Sequence, residues 1–580
     1  MQTPSDAGAP LAGVTSGHEA DQVPVTPAPA PLDAADPAGG PRRFVVEAVT
    51  LAPTGPPRAS GQRPVSGLAN AFPAPGKRFL IVDDGRGVAL ELAVLLEQRG
   101  AEALVTKVPS AVELVLADAF VHLGALRPGG APLLPAAFGQ LRDALSARVH
   151  TVLVATVGGG TFGAGSADRP SGRGRRPREA ARGGPADTAV LDLGSMRSGD
   201  GRRDDLSETD GWLLGWTVGD LSIHHRPHPD DWADDPTQPG ATAEPVDLGL
   251  RGLIAAIAAE HPGVLARAVD VEPKHSSREI AAQLFAELCD QAGPAVVGYL
   301  GGQRTGLRLT AAPALAVPPS APLDPDSVVL VTGGARGITA TVALELARAT
   351  GCHIELIGRT PQPGPEDPEL DTADPVELRR RLASMAFGDH REIEDEAGRL
   401  LRGRQLRNTL AELREAAASV HYHAADVRDT AAVSAALGEV YLRAGRLDGV
   451  IHGAGALAGR MIRNKTPESF AHAYTTRVDG ARALAAGLRG NFRFFVLLGG
   501  VPGAPGAPGY RGPAGYAAAN DAFDALASQW PGGPAGRVVG VDWDTGVEPE
   551  RGIALLLAEL AAPAGPAQVA YLAGGAPGRW

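Results

Sequence analysis

Short apolar runs alternate along the chain with longer stretches whose apolar positions recur every three or four residues. The runs Phe79-Leu-Ile-Val82, Val121-His-Leu123, Thr151-Val-Leu-Val154 and Ala268-Val-Asp-Val271 predict buried strands, and the stretches between them predict amphipathic helices. The same alternation returns after Val328, in Val328 to Val331, His353 to Ile357, Ile451-His452, Phe494 to Leu498 and Val539 to Trp543. Strands that alternate with helices at this spacing form parallel sheets covered by helices on both faces.

The two series repeat each other. Phe79-Leu-Ile-Val-Asp-Asp-Gly-Arg-Gly87 matches Val329-Leu-Val-Thr-Gly-Gly-Ala-Arg-Gly337, and Val121-His-Leu-Gly-Ala-Leu126 matches Ile451-His-Gly-Ala-Gly-Ala-Leu457. The last strands also agree, Val296-Val-Gly-Tyr-Leu300 with Gln568-Val-Ala-Tyr-Leu572. A repeat of this kind defines the fold before any single motif does. The fold class expected is α/β, with two tandem Rossmann-like doubly wound parallel sheets. The first, residues 41–320, is degenerate and structural, and the second, 325–580, is cofactor-binding, with the joint near Pro318 to Pro325. Residues 1–40 are rich in Ala, Pro and Asp and lack the large apolar groups that repay ordering, so a disordered tail is expected. Surface loops are expected at Ser166 to Gly184 and Pro227 to Pro245.

Composition narrows the class of function. No run approaches the roughly 18 apolar residues of a membrane span, and no basic start followed by an apolar core marks a signal peptide. Cys289 and Cys352 are the only cysteines, so neither a disulfide framework nor a metal cluster is expected, and the simplest location is the cytoplasm. The net charge of −12 argues against nucleic acid as a partner. The basic run Arg173, Arg175, Arg176, Arg178 lies among Gly and Pro and reads as a solvated loop. Lysine occurs only at 77, 107, 274 and 465, so arginine carries nearly all the positive charge.

The turn Thr332-Gly-Gly-Ala-Arg-Gly-Ile-Thr339 follows a strand and opens a helix. In that setting the glycines of the turn, Gly333, Gly334 and Gly337, let backbone N–H groups approach a pyrophosphate at a positive helix end, with Ile338 beside them, and Arg336 can reach a cofactor 2′-phosphate. The next strand ends in Gly358-Arg359. A guanidinium there suits a 2′-phosphate, where an acidic group would suit a ribose diol, so the cofactor expected is NADPH; otherwise Arg359 is a solvent-facing loop residue. Asp426 and Val427 end a later strand, where the carboxylate either bonds an adenine amino group or caps the helix before Thr430. Gly453, Ala454 and Gly455 are small enough for a cofactor to pass closely. The first copy has Asp83-Asp84 at the matching turn, which would repel a pyrophosphate, so it is expected to bind no nucleotide.

From about residue 41 onward the sequence resembles the ketoreductase domains of type I polyketide synthases and polyunsaturated fatty acid synthases, in the short-chain dehydrogenase/reductase superfamily. The likeness rests on Thr332 to Thr339, Gly358-Arg359, Asp426-Val427, Ile451 to Gly455, Asn464 to Glu468, Val478-Asp-Gly480 and Tyr516-Ala-Ala-Ala-Asn520. Residues 361–418 look like the helical insertion of the polyunsaturated-fatty-acid type. The resemblance implies NADPH-dependent reduction of a β-ketoacyl thioester carried on an acyl carrier protein, beside other synthase components. It also implies that Tyr516 gives the proton and that Asn520 holds the relay.

Two positions depart from that pattern. The serine expected after the strand is Gly500, in Leu498-Gly-Gly500, and no Ser or Thr lies between Ala481 and Asn520. The lysine expected before Val-Asp-Gly is Arg477, whose planar fork does not replace an ammonium. Ala458-Gly459 replaces an acidic pair that marks stereochemistry in the polyketide reductases. The sequence therefore supports a reductase of very low activity, or a catalytically silent reductase-like module of a synthase.

Overall fold

The computed structural model describes residues 42–53, 75–130, 132–162, 248–313, 315, 322–364, 370, 373–385, 388–455, 460–490, 492–500, 514–530, 536–544, 546–562 and 565–573. The expected tail at 1–40, both expected surface loops, the basic run near Arg175 and the pair Ala458-Gly459 lie outside the described residues.

The first half contains β1 (Arg42–Thr50), β2 (Arg78–Val82), α1 (Val88–Glu97), β3 (Glu102–Thr106), α2 (Ala111–Leu116), β4 (Ala119–His122) and α3 (Ala137–Ser146). It continues through β5 (Thr151–Thr156), α4 (Leu250–Glu260), β6 (Leu265–Asp270), α5 (Ser277–Cys289), β7 (Val296–Leu300) and β8 (Gln303–Ala312). The second half contains β9 (Val328–Thr332), α6 (Gly337–Thr350), β10 (His353–Gly358), α7 (Pro375–Ser384), α8 (His390–Ala416), β11 (Val420–Ala424) and α9 (Thr430–Ala444). It ends with β12 (Gly449–His452), α10 (Pro467–Gly487), β13 (Phe494–Gly500), α11 (Ala514–Ser528), β14 (Arg537–Trp543), α12 (Pro549–Ala561) and β15 (Gln568–Leu572).

The strands are apolar because they are covered on both faces: every residue of β4, β5, β9 and β12 is buried. In the second half the spatial order is β11-β10-β9-β12-β13-β14-β15, all parallel. This is the doubly wound order, with its reversal between β9 and β12. The first half repeats it as β3-β2-β4-β5-β6-β7, without the outermost strand. The corresponding strands are those matched in sequence, down to β7 with β15.

The two parallel sheets do not stand apart. β1 pairs antiparallel with β15 on one side and with β8 on the other, and β8 turns back from β7 at Gly301-Gly302. The result is one continuous sheet of 15 strands. Sequence pattern does not show this fusion, because the pairing of β1 with β15 spans nearly the whole chain.

Helices join the halves as well. Phe138 of α3 stacks on Phe470 of α10 with centroids 4.1 Å apart. α4 lies so close to α11 that a side chain at Gly252 would meet the Ala517 carbonyl oxygen at 2.3 Å. Arg251, beside it, donates to Asp521 and to Asp524 (3.2 Å), with all three groups buried. One apolar core therefore runs through both halves, including Phe120, Ile254, Phe470 and Phe523. On the opposite face each half has its own core, around Ile81 and Leu92 in the first and around Val331 and Leu346 in the second.

The residues expected to form an inserted segment, 361–418, contain α7 and α8. Asp374 and Asp389 cap these helices by accepting backbone N–H groups. The segment is not wholly an addition. The C-terminal part of α8, with Leu406, Leu410 and Leu413, packs into the core of the second half as the crossover from β10 to β11. Only α7 and the start of α8 form a separate small core, with Leu378, Leu382, Ala397 and Leu400.

Candidate cofactor and catalytic site

The crevice where the strand order reverses, between β9 and β12, collects most of the residues singled out in the sequence. β9 ends at Thr332, and the chain turns through Gly333 at φ +77°. That backbone region favours glycine, and a Cβ there would lie 2.7 Å from Ala454 Cα. Gly334 packs on Leu356, Arg336 is the residue before α6, and Gly337 begins the helix at φ +64°. A Cβ on Gly337 would meet nothing within 4 Å, so the helix start is open at that residue. Ile338 remains 38 % exposed at its mouth. Thr409 of α8 donates to the Ala335 carbonyl (3.1 Å) and fixes the turn from behind. Backbone N–H groups at an open helix start, beside small residues, fit the phosphates of a dinucleotide.

A buried histidine ties the turn to α10. His452 Nε2 donates to the Arg477 carbonyl at 3.0 Å, so Nδ1 accepts from the Thr332 hydroxyl at 2.6 Å. The Thr332 hydroxyl in turn accepts from Ala454 N–H at 3.3 Å. Burial lowers the His452 pKa to about 4, so the ring is neutral at neutral pH.

Arg359 is exposed just past the end of β10, and its Nη1 lies 3.3 Å from His472 Nε2. Asp426 is gripped by Arg428, whose Nη2 reaches it at 2.7 Å. That hydrogen bond holds the Asp426 carboxyl down at about 2. The helix-cap alternative for Asp426 does not hold, because Asp429 caps α9 by accepting from Ala431 and Ala432 N–H. Val427 is buried beneath. Gly453 packs on Thr339, and a Cβ on Gly455 would lie 2.8 Å from the Arg477 guanidinium.

Arg477, on α10, is buried and turned inward. Its guanidinium lies 4.6 Å from the centroid of Tyr516 and 5.1 Å from that of Phe523, and it donates to Asn520 Oδ1. Asn520 Nδ2 donates to the Gly500 carbonyl at 3.0 Å. Tyr516, Asn520, Arg477 and Gly500 are therefore one connected group. It lacks a hydroxyl at the end of β13, where Gly499-Gly500 stand. Residues 501–513, which continue from there, lie outside the described residues.

Sequence reasoning missed Asp542. It is the penultimate residue of β14, beside Gly499, 1 % exposed, and its Oδ1 has no hydrogen-bond partner. Burial pushes its carboxyl up to about 7. A side chain on Gly499 would approach that oxygen to 2.8 Å, so glycine is needed at 499 for a reason unrelated to the missing serine. His472 was also missed. It lies five residues before Arg477, but only the folded chain brings it to Arg359 and Arg428.

The first copy differs at the matching turn. Asp84 does not face a ligand; it is buried and accepts from the backbone N–H of Arg86, Val88 and Ala89 (2.9–3.2 Å). The carboxylate thus stands at the start of α1 where a phosphate would otherwise bind. The aspartates singled out in the sequence act at this turn through Asp84, which occupies the helix start and does not face a ligand. A cavity of about 250 Å³ remains at this crevice, lined by Lys107, His122, Arg127 and Gln140. Among the described residues no His/Cys/Asp/Glu group is arranged for a metal, and no helix is long and apolar enough to cross a membrane.

Comparison with known proteins agrees with this geometry. Residues 327–545 match the family described as KR domain. A polyunsaturated fatty acid synthase polypeptide of Thraustochytrium sp. is 29% identical over 259 residues, 41% of this chain and 9% of that protein. A phenolphthiocerol/phthiocerol polyketide synthase polypeptide of Mycobacterium tuberculosis is 30% identical over 285 residues, 48% of this chain and 13% of that one. The chain thus matches only about a tenth of the length of these relatives. An N-terminal ketoreductase from the macrolactin assembly line superposes with TM-score 0.56 at 13% identity, covering 92% of each chain. An A1-type ketoreductase gives TM-score 0.56 at 20% identity, covering 91% of this chain and 92% of that one. These two likenesses show the fold.

Proposed function

We propose, from the KR-domain match and the crevice beneath it, that the chain is a reductase module of a polyketide or polyunsaturated fatty acid synthase. In this reading it binds NADPH and reduces a β-ketoacyl group carried on an acyl carrier protein, at a rate well below that of a complete catalytic set. The observation that carries this reading is the open helix start at Gly337, bounded by Gly333 and Ala454, with Arg359 at the neighbouring strand end.

Gly333, Gly334, Arg336, Gly337 and Ile338 would hold the pyrophosphate, Arg359 the 2′-phosphate, and Asp426 with Val427 the adenine edge. Gly453, Ala454 and Gly455 would flank the nicotinamide ribose. NADPH, when bound, supplies the hydride that goes to the keto carbon. Tyr516 gives its phenolic proton to the carbonyl oxygen, which yields a β-hydroxyacyl thioester, and recovers a proton from solvent. Asn520 orients Arg477, whose guanidinium lies against the Tyr516 ring. Gly500 offers no donor to the carbonyl, and loss of one such donor costs about 2.7–4 kcal/mol, or 10²–10³ in rate.

That same gap favours a second reading, a silent module that binds cofactor without turnover. Incubation of the purified chain with NADPH and a β-ketoacyl thioester, or trans-1-decalone, separates the two. Slow loss of NADPH absorbance, abolished by Tyr516→Phe, supports reduction. Micromolar binding by calorimetry without turnover supports the silent module, and failure to bind refutes both.

A further inference from the structure

Three segments distant in sequence converge at the ends of β10 and β11. Arg359 follows β10, Arg428 lies between β11 and α9, and His472 is on α10. The His472 ring stands between the two guanidiniums, with Arg359 Nη1 3.3 Å from Nε2 and Arg428 Nη1 2.9 Å from Nδ1. A neutral imidazole has one acceptor nitrogen and one N–H. With an arginine donor at each nitrogen, one of these contacts sets a donor against a donor.

The charges around the ring leave the same conflict. Asp426 offsets Arg428, to which it is bonded, and Asp479 of α10 also acts on Arg428. Asp426 also acts on Arg359, but at longer range than on Arg428, to which it is bonded. Burial first, then Arg428 and Arg359, hold the His472 pKa below its ordinary value, against a smaller opposite pull from Asp426. A dianion between the two arginines would reverse the balance: it would accept from both guanidiniums and from a protonated imidazole.

We propose that His472, with Arg428, completes the 2′-phosphate site opposite Arg359 and takes up a proton when that phosphate binds. The proposal rests on the cofactor reading above. It makes the choice of a phosphorylated over a non-phosphorylated dinucleotide depend on pH. The sign follows from linkage. The ring's pKa is held below its ordinary value in the free protein and would rise with the phosphate bound, so affinity falls as pH rises between the two values, by up to about tenfold per pH unit. The 2′-phosphate has its own ionisation near pH 6, and this affects wild type and variant alike.

The test uses the full chain, with adenosine 2′,5′-bisphosphate and adenosine 5′-phosphate as probes, titrated calorimetrically from pH 6 to 8. Wild type should favour the bisphosphate by about tenfold more at pH 6.5 than at pH 8. It should also take up a fraction of a proton at pH 7, read from buffers of different ionisation enthalpy. His472→Gln should flatten the difference to within about threefold and abolish the uptake. Equal pH slopes in both proteins, or no uptake in wild type, would overturn the role of His472 while leaving the cofactor site intact. If the bisphosphate binds no better than adenosine 5′-phosphate at any pH, the 2′-phosphate reading itself falls, and this proposal with it.

Discussion

Replacing Arg251 with Met tests whether the degenerate half supports the half that carries Tyr516. Arg251 reaches from α4 to Asp521 and Asp524 on α11, and all three groups are at most 3 % exposed. Met preserves most of the stem's packing and removes the charge. Asp521 would keep the Gly252 N–H at 2.8 Å, and Asp524 would keep Gln568, but neither would retain a cation. Removal of one partner from a buried ionic group costs about 3–5 kcal/mol. Two carboxylates are stranded here, so the upper part of that range is expected at pH 8. The deficit should shrink in acid. Burial and the neighbouring Asp542 already hold Asp524 well above the ordinary carboxylate range, and Asp542 itself is pushed up to about 7. Without Arg251, folded Asp524 and Asp542 bind protons more readily than in the unfolded chain, so lowering the pH favours the folded variant relative to wild type. Urea unfolding followed by tryptophan fluorescence at pH 8 and pH 5.5 reads both effects. A deficit below about 1 kcal/mol at pH 8, or one that grows on acidification, would refute the assignment of Arg251 as the charge that holds the halves together.

Gly333→Ala places a Cβ 2.7 Å from the Ala454 backbone, whereas Gly337→Ala meets open space at a similar φ. The first should abolish NADPH binding; the second should cost only about 1–2 kcal/mol of backbone strain in a thermal melt. Gly500→Ser with Arg477→Lys should raise ketone reduction by about 10²–10³, while Gly499→Ser should give no gain because it meets Asp542 at 2.8 Å. Burial lowers both His122 and His452 to about 4 in the folded chain, against an unfolded value near 6.5. The unfolded chain therefore binds more protons below about pH 6.5, and stability should fall by roughly 3 kcal/mol per histidine between there and pH 4. His452→Gln should remove about half of that loss in an acid titration.

What was legible in the sequence is what local pattern encodes. The strands around Val329 and Ile451 are mostly apolar because both faces are covered, and the glycine turn follows β9 directly, so the elements and the crevice at the strand reversal could be placed. The internal repeat carried the symmetry of the halves, down to β7 and β15. Long-range pairing left no local trace, so the insertion of β1 between β15 and β8 was not anticipated. Nor does sequence show side-chain direction. Asp84 turns inward to cap α1, and Arg477 lies against the Tyr516 ring instead of reaching outward. Asp426 is held by Arg428, two residues on, and does not cap α9. The cluster at His472 needs three elements to meet, and no spacing along the chain announces it.

In the proposed reading, the turn at Gly333 and the guanidinium of Arg359 form a site for a phosphorylated dinucleotide. NADPH and NADH titrations of wild type and Arg359→Ala test it most directly. Wild type should bind NADPH more tightly than NADH, and the variant should lose about 10- to 100-fold for NADPH alone, the worth of a charge-assisted hydrogen bond. Equal losses for both dinucleotides, or no binding of either by wild type, would contradict it.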